Sequence, residues 1–194
     1  MFARISAVCF LLFLVLSFAS PESAFAKRNN NYILLKGGTF QPDESTLQNI
    51  NNNFTVGLSY GHWFWEKYTH NLGFEIEGNW SRAKESTVIA GRGISSEWNH
   101  YAVLFSLKYG KTFGNTEVYF GGGPGFYAWE SKVSTWGSHT SLNKIDYGLH
   151  VKAGFTYAFP SGYLVGLEGK YTWINLDGLE PFGYDVLLVL GYQW

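Results

Sequence analysis

From residue 31 onward, apolar and polar positions alternate with a period of two. The clearest run is the last, where Val186, Leu188, Leu190, Tyr192 and Trp194 interleave with Asp185, Leu187, Val189, Gly191 and Gln193. Successive side chains of a strand point to opposite faces, so this period predicts β-strand and not helix. Eight such runs are predicted, at 32–41, 54–65, 71–84, 97–113, 117–131, 144–159, 163–174 and 184–194. Each reaches the roughly 9 to 11 residues that a tilted strand needs to cross a bilayer.

The connections differ in character. Residues 66–70, 114–115 and 160–162 are short, and Gly114-Asn115 and Pro160-Ser161-Gly162 have the chemistry of tight turns between antiparallel neighbours. Residues 43–53, 86–96, 132–143 and 175–183 read as longer polar loops. Short turns at one end and longer loops at the other are the pattern of a membrane barrel. The expected fold is all-β, an eight-stranded antiparallel up-and-down transmembrane barrel over 27–194.

Parity sorts the side chains. One face carries Val56, Leu58, Tyr60, Leu72, Phe74, Ile76, Trp80, Tyr101, Val103, Phe105, Leu107 and Tyr109, and continues through Val118, Phe120, Phe126, Leu149, Val151 and Leu167. Its aromatics gather toward strand ends, as interfacial girdles require. The other face carries Ser59, Asn79, His100, Ser106, Asp146 and His150 with many glycines, among them Gly57, Gly61, Gly121, Gly123, Gly125, Gly148, Gly154 and Gly166. It also holds Lys36, Glu75, Glu77, Lys108, Lys152, Glu168 and Lys170, a nearly balanced set. A soluble barrel would put its apolar face inside. Lysine and glutamate at strand centres beside glycine fit a narrow, crowded lumen instead. Paired charges that plug the lumen are the leading reading, because unpaired buried charge is costly; a lysine-lined path is the weaker one. Within this set Lys170 is expected to act through Glu168 or Glu75.

The front of the chain adds an export expectation. Arg4, an apolar run from Ala7 to Ala19 and Ala24-Phe25-Ala26 before Lys27 read as a signal peptide over 1–26, cleaved after Ala26. Its apolar run is shorter than the roughly 20 residues of a spanning helix. Cys9, the single cysteine, lies inside it, so the mature chain would hold no disulfide. Losing Arg4 and Glu22 leaves the net charge at -1, which removes any excess for binding polyanions; nucleic acid is not an expected partner. Aromatics at 19% and 23 glycines suit membrane β-structure.

Catalytic and metal chemistry find little footing. The histidines are His62, His70, His100, His139 and His150, and no nucleophile, base and orienting group can be assembled from their spacing. His62, beside Trp63 and Phe64, reads as part of an interfacial girdle. No metal and no cofactor are expected, since carboxylates do not accompany the histidines at ligand spacing. Gly121-Gly122-Gly123-Pro124-Gly125 is followed by neither a helix nor Gly-Lys-Ser/Thr, so packing explains it better than phosphate binding. Pro124 should cost one ladder hydrogen bond and produce a bulge or bend.

Four stretches carry a family likeness: Tyr32-Ile33-Leu34-Leu35-Lys36-Gly37-Gly38, Val118-Tyr119-Phe120-Gly121-Gly122-Gly123-Pro124-Gly125, Gly166-Leu167-Glu168-Gly169-Lys170-Tyr171, and the end Val189-Leu190-Gly191-Tyr192-Gln193-Trp194. Through them residues 31–194 resemble the outer-membrane protein β-barrel domain proteins, relatives of the small OmpA, OmpX and OmpW-like barrels. The resemblance implies a monomer in the bacterial outer membrane with its long loops extracellular, in contact with outer-membrane lipid and lipopolysaccharide. It also implies that Leu190, Tyr192 and Trp194 form the signal read by the barrel-assembly machinery, with Trp in place of the commoner Phe. Such barrels have many roles, so fold alone does not give activity. The expected role is structural or surface-interacting and not enzymatic; the alternatives are a narrow channel for small or hydrophobic solutes and, lower, a lipid A-modifying enzyme. Trp136, Ser138 and His139 in the third long loop are the candidate contact residues.

Overall fold

The computed structural model describes residues 30–42, 50–89, 92–135, 138–175 and 179–194, with side chains placed over 30–41, 53–84, 97–130, 132, 144–174 and 182–194. Eight strands follow one another: β1 (Asn31–Pro42), β2 (Ile50–Lys67), β3 (His70–Ile89), β4 (Arg92–Phe113), β5 (Thr116–Thr135), β6 (Ser138–Ala158), β7 (Tyr163–Asn175) and β8 (Leu179–Gln193). Each pairs antiparallel with the next, and β1 pairs with β8 from Tyr32↔Gln193 to Pro42↔Gly183, which closes the barrel. Closure leaves no edge within the ring, as a lipid environment demands of any sheet that spans it. The predicted signal peptide lies outside the described residues.

The parity holds across the apolar belt. Leu58, Phe105, Leu107, Phe120, Leu149, Leu167, Leu188 and Leu190 are exposed on the outer wall, while Lys36, Glu75, Glu77, Lys108, Lys152, Glu168 and Lys170 are buried within. Outer aromatics form two rings. Tyr60 with Trp194, Tyr109 with Phe120, Tyr157 with Phe159 and Tyr163 with Tyr192 lie near the chain termini; Trp80 with Phe54 and Tyr101, and Tyr171 with Trp173, lie toward the other end. On β4 the rings sit at Tyr101 and Tyr109. At about 3.3 Å per residue on a tilted strand, the belt between them is about 20 Å tall, close to the apolar band of an outer-membrane barrel.

Three sequence expectations need correction. The second and third long loops are much shorter than expected, because β3 and β4 stay paired to Ile89↔Arg92 and β5 and β6 to Thr135↔Ser138. Beyond the belt no lipid demands an apolar face, so alternation lapses in the sequence while backbone pairing continues. Trp63 is not in the girdle: it is 1% exposed and points into the lumen, and a register shift between Trp63 and Trp65 places Phe64 and Trp65 both on the outside. Pro124 produces no bulge. The pairs that would join it to Phe105 and Gly123 to Ser106 are missing from the β4–β5 ladder, yet Leu104↔Gly125 and Leu107↔Gly122 keep one register. Pro124 has no N–H for the Phe105 carbonyl, and the cost is that one bond.

The turns near the termini match their chemistry. Gly114 takes φ 60° between Phe113 and Thr116, and Gly162 takes φ 88° after Pro160 and Ser161, where its N–H donates to the Phe159 carbonyl at 2.9 Å. Tyr68 also has positive φ, at 57°, in the β2–β3 turn.

Candidate functional site

The lumen is filled in layers. Along β7 the inward residues run Leu164, Glu168, Lys170 and Ile174, from apolar through charged to apolar. Leu164 belongs to a buried cluster with Tyr32, Leu34, Trp63 and Val189 near the terminal end. Ile174 belongs to a second, with Ala102, Leu104 and Tyr127, against which Phe182 packs. Between them lie the charges.

Lys36 is the hub. Its Nζ donates to Glu75 Oε1 at 2.8 Å, Glu77 Oε2 at 2.6 Å and both oxygens of Glu168 at 2.8 and 3.0 Å. Lys152 donates to Glu75 Oε1 at 2.6 Å and lies 3.4 Å from Glu77 Oε2, and Lys108 donates to Glu75 Oε2 at 2.9 Å. The Lys108 ammonium also sits 3.9 Å from the centre of the Tyr119 ring. Two phenols complete the carboxylate shells: Tyr32 donates to Glu75 at 3.0 Å and Tyr119 to Glu168 at 2.8 Å. Lys170 reaches Glu77 at 2.8 Å and Asp185 at 3.4 Å, not the expected Glu168 or Glu75. Asp185 is held in turn by the Thr55 hydroxyl at 2.7 Å.

All seven predicted interior charges therefore meet, and the sequence reading missed three partners: Asp185, Tyr32 and Tyr119. Their parity was visible, since Tyr32 is in phase with Lys36, Tyr119 with Gly121, and Asp185 with Leu187. Asp146, assigned to the same face by parity, does not join the layer: it pairs with Lys144 at 3.2 Å and accepts from Trp129 Nε1 at 3.2 Å. With Asp185 the layer holds four lysines and four carboxylates and is neutral. Charges come from β1, β3, β4, β6, β7 and β8, so the layer braces the barrel across its diameter.

Glycines make the room. Tyr32 lies opposite Gly61 and Tyr119 opposite Gly154 in the ladders, so each ring lies across a strand with no side chain and delivers its hydroxyl to the charged layer. A methyl added at Gly154 would fall 2.4 Å from the Leu167 carbonyl oxygen and 2.8 Å from the Tyr119 hydroxyl. Gly154→Ala should therefore cost about 1 to 3 kcal/mol of overpacking, measured by denaturant unfolding in lipid vesicles; a neutral result would mean that both the Tyr119 ring and the β7 backbone at Leu167 give way easily.

One nucleophile and base meet inside the lumen. Ser106 and His150 flank Gly123, and Ser106 Oγ lies 2.8 Å from His150 Nε2. His150 Nδ1 has no hydrogen-bond partner among the described residues, so no orienting group completes a triad. His100 is stacked on Tyr127 at 5.4 Å and beside Phe182 at 4.8 Å. His62 faces outward next to Phe74 and Asn31, and His70 bonds Tyr109. Trp136 lies outside the described residues. Ser138 and His139 are described in backbone only, paired with Thr135 and Ser134 at the start of β6. Above the outer ring Arg82 pairs with Glu97 at 2.9 Å, and that guanidinium's hydrogen bond holds the Glu97 carboxyl below its usual range.

A closed eight-stranded barrel with an apolar belt, two aromatic rings and a charged lumen defines an integral membrane barrel. The chain belongs to the outer membrane protein beta-barrel domain family, whose model matches residues 10–193, and it is a bacterial outer-membrane protein. Solved structures share the fold. Neisserial surface protein A superposes with a TM-score of 0.57 at 15% identity, covering 84% of this chain and 97% of that one. Ail, the attachment invasion locus protein of Yersinia pestis, gives 0.54 at 13% identity, covering 87% and 99%. The N-terminal β-barrel domain of Pseudomonas aeruginosa OprF gives 0.51 at 13%, covering 86% and 98%. No curated protein sequence matches the chain.

Proposed function

We propose that this protein is a non-conducting barrel with a structural or surface-interaction role in the envelope, its terminal end in the periplasm and its taller strand pairs outside the cell. One observation carries the reading: the charged layer is satisfied and lies between two apolar clusters, so the lumen is occupied by its own side chains. A barrel of eight strands is only just wide enough to be filled in this way. Liposomes carrying the refolded chain should therefore not swell in isosmotic sugar; swelling at rates above empty liposomes would favour the narrow channel. The Ser106–His150 pair supports an enzymatic role weakly, because both residues are buried and the pair has no third member among the described residues.

Orientation has its own test. A cysteine placed at Ser138 should react with an impermeant maleimide on intact cells, and one placed at Ser161 should not; the reverse pattern would invert the barrel. The end residues are proposed as the assembly signal. Trp194 is fixed by an N–H donated to the Asn31 carbonyl at 3.0 Å and packs its ring toward Tyr60 and Tyr192. Deleting Trp194 should slow insertion in cells severalfold, read as accumulation of the unfolded form on unheated gels, and unchanged insertion would refute the role.

A further inference from the structure

The register shift after Trp63 turns a lysine as well as a ring. Odd positions of β2 face the lumen at Ser59 and Trp63, but beyond the shift Trp65 and Lys67 are exposed on the outer wall. Bulges commonly re-aim a side chain in this way. Lys67 is thereby set opposite His70 of β3, and His70 stands opposite Lys111 of β4. Three basic side chains form one row across the outside of the barrel. Neighbouring strands lie about 4.8 Å apart, so the two lysine stems start about 10 Å from each other with His70 between them. Both ammonium groups can reach a ligand held in front of the imidazole.

The height of the row places it against lipid head groups. Tyr109 belongs to the aromatic ring near the chain termini, and Lys111 lies two residues beyond it. At about 3.3 Å per residue on a tilted strand the step is about 5 Å, which falls in the interfacial layer bordering the hydrocarbon. The Tyr109 hydroxyl bonds His70 Nδ1; with that hydroxyl donating, Nε2 carries the hydrogen and is left to donate outward. On the membrane side of the row Phe74, Ile76 and Leu107 are exposed along the same two strands.

The charge balance differs between the two ends. At the outer end Arg82, Lys132 and Lys144 pair with Glu97, Glu130 and Asp146 at 2.9, 3.1 and 3.2 Å. Lys67 and His70 make no ion pair with a carboxylate among the described residues. Glu66 stands opposite Asn71 in the alternate phase, and Glu117 is buried in the lumen, where Asn71 donates to it at 3.1 Å. The ammonium of Lys67 instead lies 5.8 Å from the centre of the Tyr68 ring, and that of Lys111 5.0 Å from Phe113.

We infer that Lys67, His70 and Lys111 bind the phosphate of an anionic phospholipid in the periplasmic leaflet, with its acyl chains along Phe74, Ile76 and Leu107. Lysine binds phosphate as a point charge, and the imidazole N–H adds a directional hydrogen bond. Basic clusters at a membrane surface select anionic lipid, because a zwitterionic head group brings its own cation to the site. The choice of leaflet rests on the orientation proposed above.

The probe is phosphatidylglycerol, titrated onto the full mature chain in detergent micelles and counted by native mass spectrometry, with phosphatidylcholine as the comparison. One phosphatidylglycerol should be retained, at least tenfold more tightly than phosphatidylcholine. Lys67→Gln with Lys111→Gln should weaken that binding at least tenfold, with heat-modifiable folding intact. Lys67→Gln alone should weaken it at least threefold, and carries the test if the double variant fails to fold. Lys67→Arg, which keeps the charge, and Lys84→Gln, at the far end of β3, should each change it less than twofold. Equal retention of the two lipids overturns the proposal, as does wild-type retention by Lys67→Gln. A loss at Lys84→Gln as large as that at Lys67→Gln also overturns it, since general charge attraction would then suffice. Micelles have no leaflets, so these outcomes do not depend on orientation. Labelling of Ser161 from outside the cell would instead move the row to the outer leaflet and overturn the choice of lipid.

Discussion

Replacing Lys36 by methionine is expected to destabilise the folded barrel by about 3 to 5 kcal/mol, the usual cost of removing one partner from a buried ion pair. Lys36 is 1% exposed and is the ammonium shared by Glu75, Glu77 and Glu168. Methionine matches the length of the stem, so little packing is lost. What is lost is the positive charge between three buried carboxylates, and the neutral layer becomes net negative. Guanidinium unfolding in lipid vesicles measures the loss. A double variant, Lys36→Met with Glu77→Gln, should recover part of it, because one negative charge leaves with the positive one. A cost below about 1 kcal/mol would mean the layer is hydrated and loosely held.

Arginine at Leu149 should cost about 2 to 4 kcal/mol, the penalty for a cation on the lipid face at mid-membrane. Leu149 is 45% exposed on the outer wall opposite Pro124, within the belt, whereas its near neighbour Lys152 is 3% exposed inside. Arginine at Lys152 keeps the charge in the layer and disturbs only shape, so its effect should be the smaller of the two. Equal tolerance at 149 and 152 would contradict the assigned parity. The pair of substitutions therefore reads which side of the wall is lipid, three residues apart on one strand.

The sequence made the belt legible because lipid and lumen impose opposite demands on neighbouring residues. Every strand that crosses the belt carries that contrast, from Leu35 and Lys36 on β1 to Asp185 and Val186 on β8. Where a demand is absent the pattern fades, and this is why the paired extensions at Ser95↔Ser134 and Ser141↔Lys132 read as loops. Trp63 was misplaced for a different reason. Its odd parity, shared with Ser59 and Gly61, already pointed inward, but its type beside His62 and Phe64 read as girdle; the register shift comes after it and turns Trp65, not Trp63, outward. The lumen's charged members were legible one by one, but pairings were not: Lys170 turns to Glu77 and Asp185 because the ring brings β3 and β8 around it, a fact of closure that linear order does not carry. Tyr32 and Tyr119 were hidden by their type, since aromatics on a membrane barrel are first read as girdle. Their opposing glycines, Gly61 and Gly154, were the available signal.

A lumen filled by side chains carries no ion current, which single-channel recording of the refolded mature chain in a planar bilayer measures. The wild type should stay silent at moderate voltage while remaining heat-modifiable, with Lys36→Met in parallel as the variant whose broken layer is the first place an opening would form. Steady, resolvable conductance from the wild-type chain would mean the lumen is open and make its lysines a permeation path.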